Sequence, residues 1–423
     1  MSATNHFLGS SMAKLKGFQK LTSTDEAMNK WLNILKLRKL EETNIPIKEA
    51  INRVLSSDII VKEDLPRFDK SAVDGYALLA NDTIGASQFK SVSFSLTTAK
   101  KKISSKQAIQ VWTGNPIPDG ADSVVMIENT KKHNSQLEIY TQLPKWANVS
   151  KKGEDVQSGE IGLKSGTRLK PHHLALIAAL GYTSIKVTRK PRIAVLATGN
   201  ELVDSGGSIS VGKIFESNRI AISGLCKELD SEPIDLGIAK DDVNDLSEKI
   251  SLGLNNCDAL ITTGGTSVGQ FDLLPEVVNK IGNPGIIVHG MALRPAMPTG
   301  LAVVGGKPIL LLSGNPVAAM IGFEEFMRPL ISRMLGLNSD KRQTIPGIMN
   351  RKVATRLGRK TYLRVRIFQK NTEFIVEPIS ARGSGIISSM TKANGFVVVP
   401  ANREGIRKGE LVSVQLFGIV EEN

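Results

Sequence analysis

The residues best suited to chemistry in this 423-residue chain are glycine turns and carboxylates that follow apolar runs. Gly264-Gly265-Thr266-Ser267-Val268-Gly269 follows the run DALITT and precedes Asp272. Glycines let backbone N–H groups approach an anion, and a following helix N-terminus favours negative charge. The stretch lacks GK[ST], so it is not a Walker A loop, and it is not GxGxxG. An ordinary strand-to-helix turn stays open as the plainer reading. Ser313-Gly314-Asn315-Pro316 follows PILLL in the same manner. Pro316 suits a first helical position and Asn315 an N-cap, and a second anion cradle competes with that reading.

Glu201 in ATGNEL, Asp241 after EPIDLGIA and Asp272 each follow a predicted strand. Carboxylates gathered on one edge repel unless a divalent cation neutralises them, which points to Mg²⁺. Asp69 and Asp74 flank Ser71 in PRFDKSAVDGYA, and Asp155 lies in KKGEDV. Turns explain these acids as well as ligand recognition does. Two cysteines without a CxxC pair and five histidines argue against a disulfide framework or a zinc site. Cys226 and Cys257 are expected to be buried free thiols. Any metal should be hard and oxygen-ligated.

These residues need elements to hold them. Over residues 191–336, RIAVLAT, EPIDLGIA, DALITT, GIIVHG, GLAVV and PILLLS read as strands. Helical periods over SNRIAISGLCKEL, DVNDLSEKISLGL, LLPEVVNKIG and PVAAMIGFEEFMRPLISRML alternate with them. The alternation predicts a mostly parallel sheet with helices on both faces, which binds ligands at the strands' carboxyl ends. Upstream, Ser23-Thr24-Asp25-Glu26 reads as a capping box opening a helix, and KEAINRVLSSDI (48–59) as a second short helix. Short strands between turns fill 61–155, PHHLALIAALGY is a helix, and strand-like runs return after 338.

Hydrophobic residues make up 41% and charged residues 22%, an ordinary globular balance that excludes a mainly disordered chain. No apolar run approaches the roughly 20 residues of a membrane helix, and no secretory signal is visible. No membrane association is expected, and a cytoplasmic location is the default expectation. Net charge is 54 − 41 = +13. Residues 338–423 hold 15 Lys+Arg and 7 Asp+Glu, so +8 of it lies there. Without aromatics interleaved among the basic residues, nucleic acid is not the expected partner. A solvated face or an electrostatic funnel for anions both fit.

Ten ordered blocks together resemble one family, the molybdopterin molybdenumtransferases (MoeA and the gephyrin E-domain). They are PRFDKSAVDGYA, VWTGNPIPDGADSVVMIE, KKGEDV, PRIAVLATGNELV, FESNRIAISGLCKELD, AKDD, DALITTGGTSVGQFD, RPAMPTG, SGNPVAAMIGFE and GSGIISSM. The resemblance covers roughly residues 23–420. It implies an enzyme of molybdenum cofactor biosynthesis that takes adenylylated molybdopterin, releases AMP and inserts molybdate, assisted by Mg²⁺. It implies a homodimer of four-domain subunits, and leaves docking of the pathway's adenylyltransferase open. The expected architecture is multidomain α/β and β. Residues 1–60 would be an N-terminal arm and the helical part of a linking domain. Residues 61–155 would be an irregular β domain, and 156–190 the return segment of the linking domain. Residues 191–337 would be an αβα domain of molybdopterin-binding type, and 338–423 a basic, small β-barrel-like domain.

Carried over by motif, the catalytic acids are Asp74, Asp155, Glu201, Asp241 and Asp272, with Glu201, Asp241 and Asp272 as metal ligands. Substrate binding falls to Thr113, Ser217, Asn218, Gly264, Gly265, Ser267, Gly269, Arg294, Gly314, Asn315, Pro316, Arg364 and Ser384. Two departures stand out. Where bacterial members often carry K-P-G-K-P, this chain has Arg294-Pro295-Ala296-Met297-Pro298, and where many members have P-G-N-P it has Ser313-Gly314-Asn315-Pro316. The lost cation at Met297 raises a tungstate-inserting variant as the alternative. A non-catalytic molybdopterin-binding scaffold is the reading from a different class.

Overall fold

The computed structural model describes residues 21–35, 37, 39–98, 102–266, 273–339, 341–379 and 383–422. The chain divides into two compact units, residues 44–187 and the remainder.

In the larger unit, a six-stranded sheet has the order Glu232–Ala239, Arg192–Thr198, Ala259–Thr263, Lys307–Leu312, Gly300–Val304, Pro284–His289. The first four strands are parallel, Gly300–Val304 runs against them, and Pro284–His289 pairs antiparallel with Gly300–Val304. The strand ALITT is buried at every position, as a sheet covered on both faces requires. Ala194, Leu196, Leu260 and Leu311 pack under the Val243–Asn256 and Leu274–Ile281 helices. The alternate residues Val195, Ile261 and Leu310 are equally buried on the other face. The sequence-predicted helices appear at Asn218–Glu228, Val243–Asn256 and Leu274–Ile281. The long one from Pro316 to Leu335 is interrupted by a π turn, Phe323–Met327.

The Thr24–Leu35 helix opens with the Glu26 N–H donating to Ser23 Oγ, half of the expected capping box. Its Trp31 is fully buried, and Nε1 donates to the Ala302 carbonyl at 2.8 Å. The helix thereby packs on the antiparallel end of the sheet.

Beyond residue 343, the strands Lys360–Lys370, Glu373–Pro378, Thr344–Met349, Leu411–Leu416 and Gly395–Val399 pair in that order. The last pairs back with the first, closing a five-stranded barrel. Its interior is aliphatic: Val365, Ile367, Val376, Val397, Val412 and Val414. The short strand Leu293–Arg294 adds to Lys360–Lys370 in parallel, pairing Leu293 with Lys360 and Arg294 with Thr361.

The smaller unit holds a six-stranded sheet with Ser123–Met126 and Thr130–His133 at its edges, and two-stranded ribbons. A separate aliphatic cluster gathers Leu55, Ile59, Leu169 and Ile177, the last from the Pro171–Ala179 helix. Gly181 follows that helix with φ +81°, as a left-handed helix end requires. The helix predicted over 48–59 is not formed. The stretch's helical content is the 3₁₀ turn Ile47–Glu49, and it runs into the short strand Ile59–Ile60. Val54 and Leu55 are both buried, and the N–H groups of Asn52 and Leu55 donate to the Leu169 and Thr167 carbonyls. Pairing with the 167–169 segment outcompetes local helix, which sequence periodicity does not register.

Trp31→Ala should lower the stability of the larger unit by roughly 3–5 kcal/mol, because the site cannot refill. Trp31→Phe, which keeps most of the volume and loses the hydrogen bond, should cost about 1 kcal/mol from that bond. Denaturant titration monitored by circular dichroism reads both.

Candidate active site

Parallel strands end together, so the turns after Thr198, Thr263 and Leu312 meet at one edge of the sheet. They enclose a cleft of about 410 Å³. Gly264 and Gly265 form its floor, with φ +92° and +60°. The Gly264 N–H donates to the Leu312 carbonyl at 3.0 Å, which ties the turn to the neighbouring strand. A Cβ on Gly264 would stand 2.3 Å from the Thr198 carbonyl oxygen, and one on Gly265 2.8 Å from Thr198 Oγ1. Close seating against the adjoining strand end is what demands glycine at both positions.

The opposite wall is the Ser313-Gly314-Asn315 turn. Asn218 Nδ2 donates to the Gly314 carbonyl at 2.9 Å, and Ser313 Oγ accepts from the Asn315 N–H. Asn315 stands at the N-cap position before Pro316, but its side chain makes no capping bond there. Thr198 Oγ1, Thr263 Oγ1 and Asn218 Oδ1 are buried at the cleft without a hydrogen-bond partner among the described residues. Buried polar atoms left unpaired are costly, so three of them around one cleft suit a polar ligand that completes them. Leu202 and Ile214 supply an apolar side. Thr198, Thr263 and these two aliphatics were not singled out from the sequence. Their only signal is position, at strand ends or in the insertion that follows.

Glu201 lines the same cleft, its carboxylate folded back over Gly199. Asp241, from the next strand's end, accepts from the Asn200 N–H at 3.1 Å, and Asn200 Oδ1 accepts from the Asp241 N–H. Two of the three expected metal ligands therefore flank one dipeptide, Gly199-Asn200. Asp272, with Ser267 and Gly269, lies outside the described residues. Among the described residues no group of three or more His, Cys, Asp or Glu side chains is gathered to hold a metal. Both exposed carboxylates are hard oxygen donors, the chemistry a Mg²⁺ ion requires.

Ser217 precedes the Asn218–Glu228 helix without a side-chain capping bond. The capping carboxylate is Glu216, 2% exposed, which accepts from the Arg219 N–H at 2.9 Å. Arg219 also reaches Asp204 and Asp235, so its role is to fasten this helix to its surroundings.

The barrel contributes at the cleft's flank. The Ser384 carbonyl accepts from the Val317 N–H at 3.1 Å, and a Cβ on Gly385 would approach Asn315 Oδ1 at 3.3 Å. Arg294 opens the stretch that ends at Pro298 on the cleft wall. Burial, and then the positive charge of Arg294, hold the half-buried Arg364 guanidinium below its ordinary pKa. Two arginines repelling each other here suit an anion between them.

In the smaller unit, Asp74 Oδ1 accepts from the Thr113 N–H at 2.8 Å and its hydroxyl at 2.7 Å. These bonds, the backbone one first, hold the Asp74 carboxyl below its ordinary pKa. Asp155 is exposed on the turn after Lys151, its N–H donating to the Leu65 carbonyl.

A larger cavity, about 540 Å³, opens at the opposite, amino-terminal edge of the sheet. Its cations are already engaged: Arg189 with Asp258 through two 2.7 Å bonds, and Lys307 with the Leu254 carbonyl. Size alone does not mark the site. Buried Cys226 and Cys257 are free thiols, Cys226 pushed up to about 12 by desolvation.

Fold and cleft define a multidomain protein whose αβα domain opens a polar, glycine-floored cleft at the carboxyl edge of its sheet, where such sheets take ligands. Three family profiles match the chain in order. They are the MoeA N-terminal region (domain I and II) over residues 22–181, "Probable molybdopterin binding domain" over 194–333 and the MoeA C-terminal region (domain IV) over 346–417. A Methanocaldococcus jannaschii protein, provisionally named for molybdopterin biosynthesis, is 37% identical over 415 residues, covering 96% of this chain and 100% of that one. The Bacillus subtilis molybdopterin molybdenumtransferase is 32% identical over 411 residues, 94% of each chain. The crystal structure of the Pyrococcus horikoshii OT3 molybdopterin biosynthesis MoeA protein superposes with a TM-score of 0.82 at 30% identity, covering 94% of this chain and 100% of that one. The chain belongs to the MoeA family of molybdopterin molybdenumtransferases, transferases of molybdenum cofactor biosynthesis.

Gly264→Ala should displace the floor of the cleft and destabilise by roughly 1–3 kcal/mol, as a strained backbone position does. Gly314→Ala, whose nearest heavy atom would be 3.6 Å away, should stay within about 0.5 kcal/mol. Thermal melting separates the two. Thr113→Ala should move the Asp74 titration upward, towards the ordinary carboxylate value, by NMR. The stabilisation from that carboxylate is present above its ordinary pKa and is lost as pH falls through the lowered one.

Proposed function

We propose that the chain inserts molybdate into adenylylated molybdopterin and releases AMP. The observation that carries this reading is the set of Thr198, Thr263 and Asn218 oxygens, buried and unpaired among the described residues, around a cleft floored by Gly264 and Gly265. Backbone N–H groups of the two turns would hold phosphate, and Asn218 and the two threonines the polar edge of the pterin. Ser267 and Gly269, which follow that turn in the sequence, are carried over by motif as further substrate-binding residues. Arg294 and Arg364, with Ser384, would hold the oxyanion. Glu201 and Asp241, joined by Asp272, would hold Mg²⁺. When bound, that cation neutralises charge on the phosphoanhydride that is cleaved between molybdopterin and AMP. Anions and carboxylates share the cleft only because cationic groups and N–H donors separate them.

Asp74 and Asp155 are carried over by motif as further catalytic acids. The depressed Asp74 is anionic at neutral pH, which suits a partner for a cation or a donor group. The family's dimer fits a run of exposed apolar residues in the insertion beside the cleft, Ile209, Val211, Ile214 and Phe215, and Ile220 just after it. A second subunit would cover them.

Single-turnover AMP release tests the activity. Wild-type protein with adenylylated molybdopterin and Mg²⁺ should release AMP on addition of molybdate. Tungstate in its place reads the effect of Met297. Glu201→Gln should slow release by about 100-fold, the scale of losing a preorganised electrostatic group. Release that ignores molybdate, or full activity of the Glu201 variant, would overturn the assignment.

A further inference from the structure

The long helix after the second turn changes pitch for a reason readable in its sequence. Pro329 has no N–H for the Glu325 carbonyl, and in a regular helix its ring would press against that carbonyl. The π turn Phe323–Met327 lies immediately before it and relieves the clash. In that turn two consecutive carboxylates, Glu324 and Glu325, are both buried, with side chains 7% and 8% exposed. Each has partners in the barrel region. Glu324 accepts from Arg328 at 2.9 Å and from Arg342 through both oxygens. Arg342 Nη1 also donates to the Leu416 carbonyl of the barrel at 3.2 Å. Glu325 Oε1 accepts from Lys360 Nζ and Oε2 from the Tyr362 hydroxyl, each at 2.6 Å. Desolvation first, and then Glu325, push the Tyr362 phenol far above its ordinary pKa.

Lys360, Tyr362 and Arg364 alternate along one strand and so share a face. Arg294 belongs to the strand hydrogen-bonded to the beginning of that same strand. The clasp on Lys360 and Tyr362 therefore fixes the part of the strand from which Arg364 projects, near enough to Arg294 to feel its charge. Two like charges drive themselves apart unless something outside the pair restrains their supports. A buried, doubly bonded carboxylate is such a restraint, because breaking it leaves a buried charge uncompensated.

We propose that Glu325 is a positioning residue for a dianion subsite formed by Arg294 and Arg364, touching no substrate itself. This rests on the reading that the two arginines hold the oxyanion. The subsite takes a tetrahedral dianion of molybdate size.

The test uses the full-length chain and the variants Glu325→Gln, Arg364→Ala and the double variant. Molybdate-dependent AMP release gives KM and kcat, and calorimetric titration with molybdate gives affinity directly. Glu325→Gln should raise the molybdate KM about tenfold, with kcat within about twofold, as loss of uniform binding does. The double variant should be no worse than Arg364→Ala alone, since residues that act through one another are not additive. An unchanged KM in Glu325→Gln, or effects that simply multiply, would overturn the role. Should Glu325→Gln fail to fold, Tyr362→Phe removes one of the two bonds and keeps the ion pair. It should then give a smaller KM rise that vanishes in the Arg364→Ala background, and an additive effect overturns the role. If wild-type protein releases no AMP, the proposed activity fails, and the titrations alone decide the positioning role. Wild-type protein that binds no molybdate overturns the subsite.

Discussion

The contact between the Gly264-Gly265 turn and the end of the Arg192–Thr198 strand is the constraint on which the cleft depends. Parallel pairing of Ala197 with Thr263 puts two strand ends at the same level, so one turn must pass over the other's last residue. The clearance is too small for any Cβ. Seated this way, the turn leaves the Thr198 and Thr263 hydroxyls buried beside the cleft without a hydrogen-bond partner among the described residues. Satisfaction of backbone groups and availability of side-chain groups are thus two results of one packing event.

The barrel's place follows from strand addition. Leu293–Arg294 leaves the αβα domain and becomes an edge partner of Lys360–Lys370, so the two bodies share backbone hydrogen bonds as well as side chains. The Ser384 carbonyl adds a bond to Val317 at the start of the long helix. The π turn contributes two buried carboxylates to the same junction. A cationic group delivered from a separate barrel needs such a joint, because an arginine misplaced by an ångström loses much of its electrostatic effect.

Ala296 shows what this stretch tolerates. It stands at φ +88°, in the left-handed region, and is 2% exposed. Thr299 donates to its carbonyl through both N–H and hydroxyl. A left-handed alanine costs roughly 1–2 kcal/mol, which the surrounding hydrogen bonds and burial offset. The conformation is imposed by the need to bring Arg294 to the barrel and Pro298 to the cleft within five residues.

Strands such as RIAVLAT and DALITT, and the helices between them, were legible because continuous apolar runs and helical periods are local properties of the chain. The glycine turns and the acids after strands were legible for the same reason, and ten motifs in order identified the family. The sequence could not show that residues 48–59 trade helix for pairing with 167–169, since that partner is more than 100 residues away. Nor could it show that the Thr198 and Thr263 hydroxyls are buried without a partner among the described residues, or that Glu325 reaches Lys360 and Tyr362. Those facts are decided by which backbone lies beside which, and by burial, which turns an ordinary carboxylate or hydroxyl into a group that must find a partner. The sequence by itself determined which chemical groups stand at the strand ends. Tertiary structure alone decided which of them face one another across the cleft.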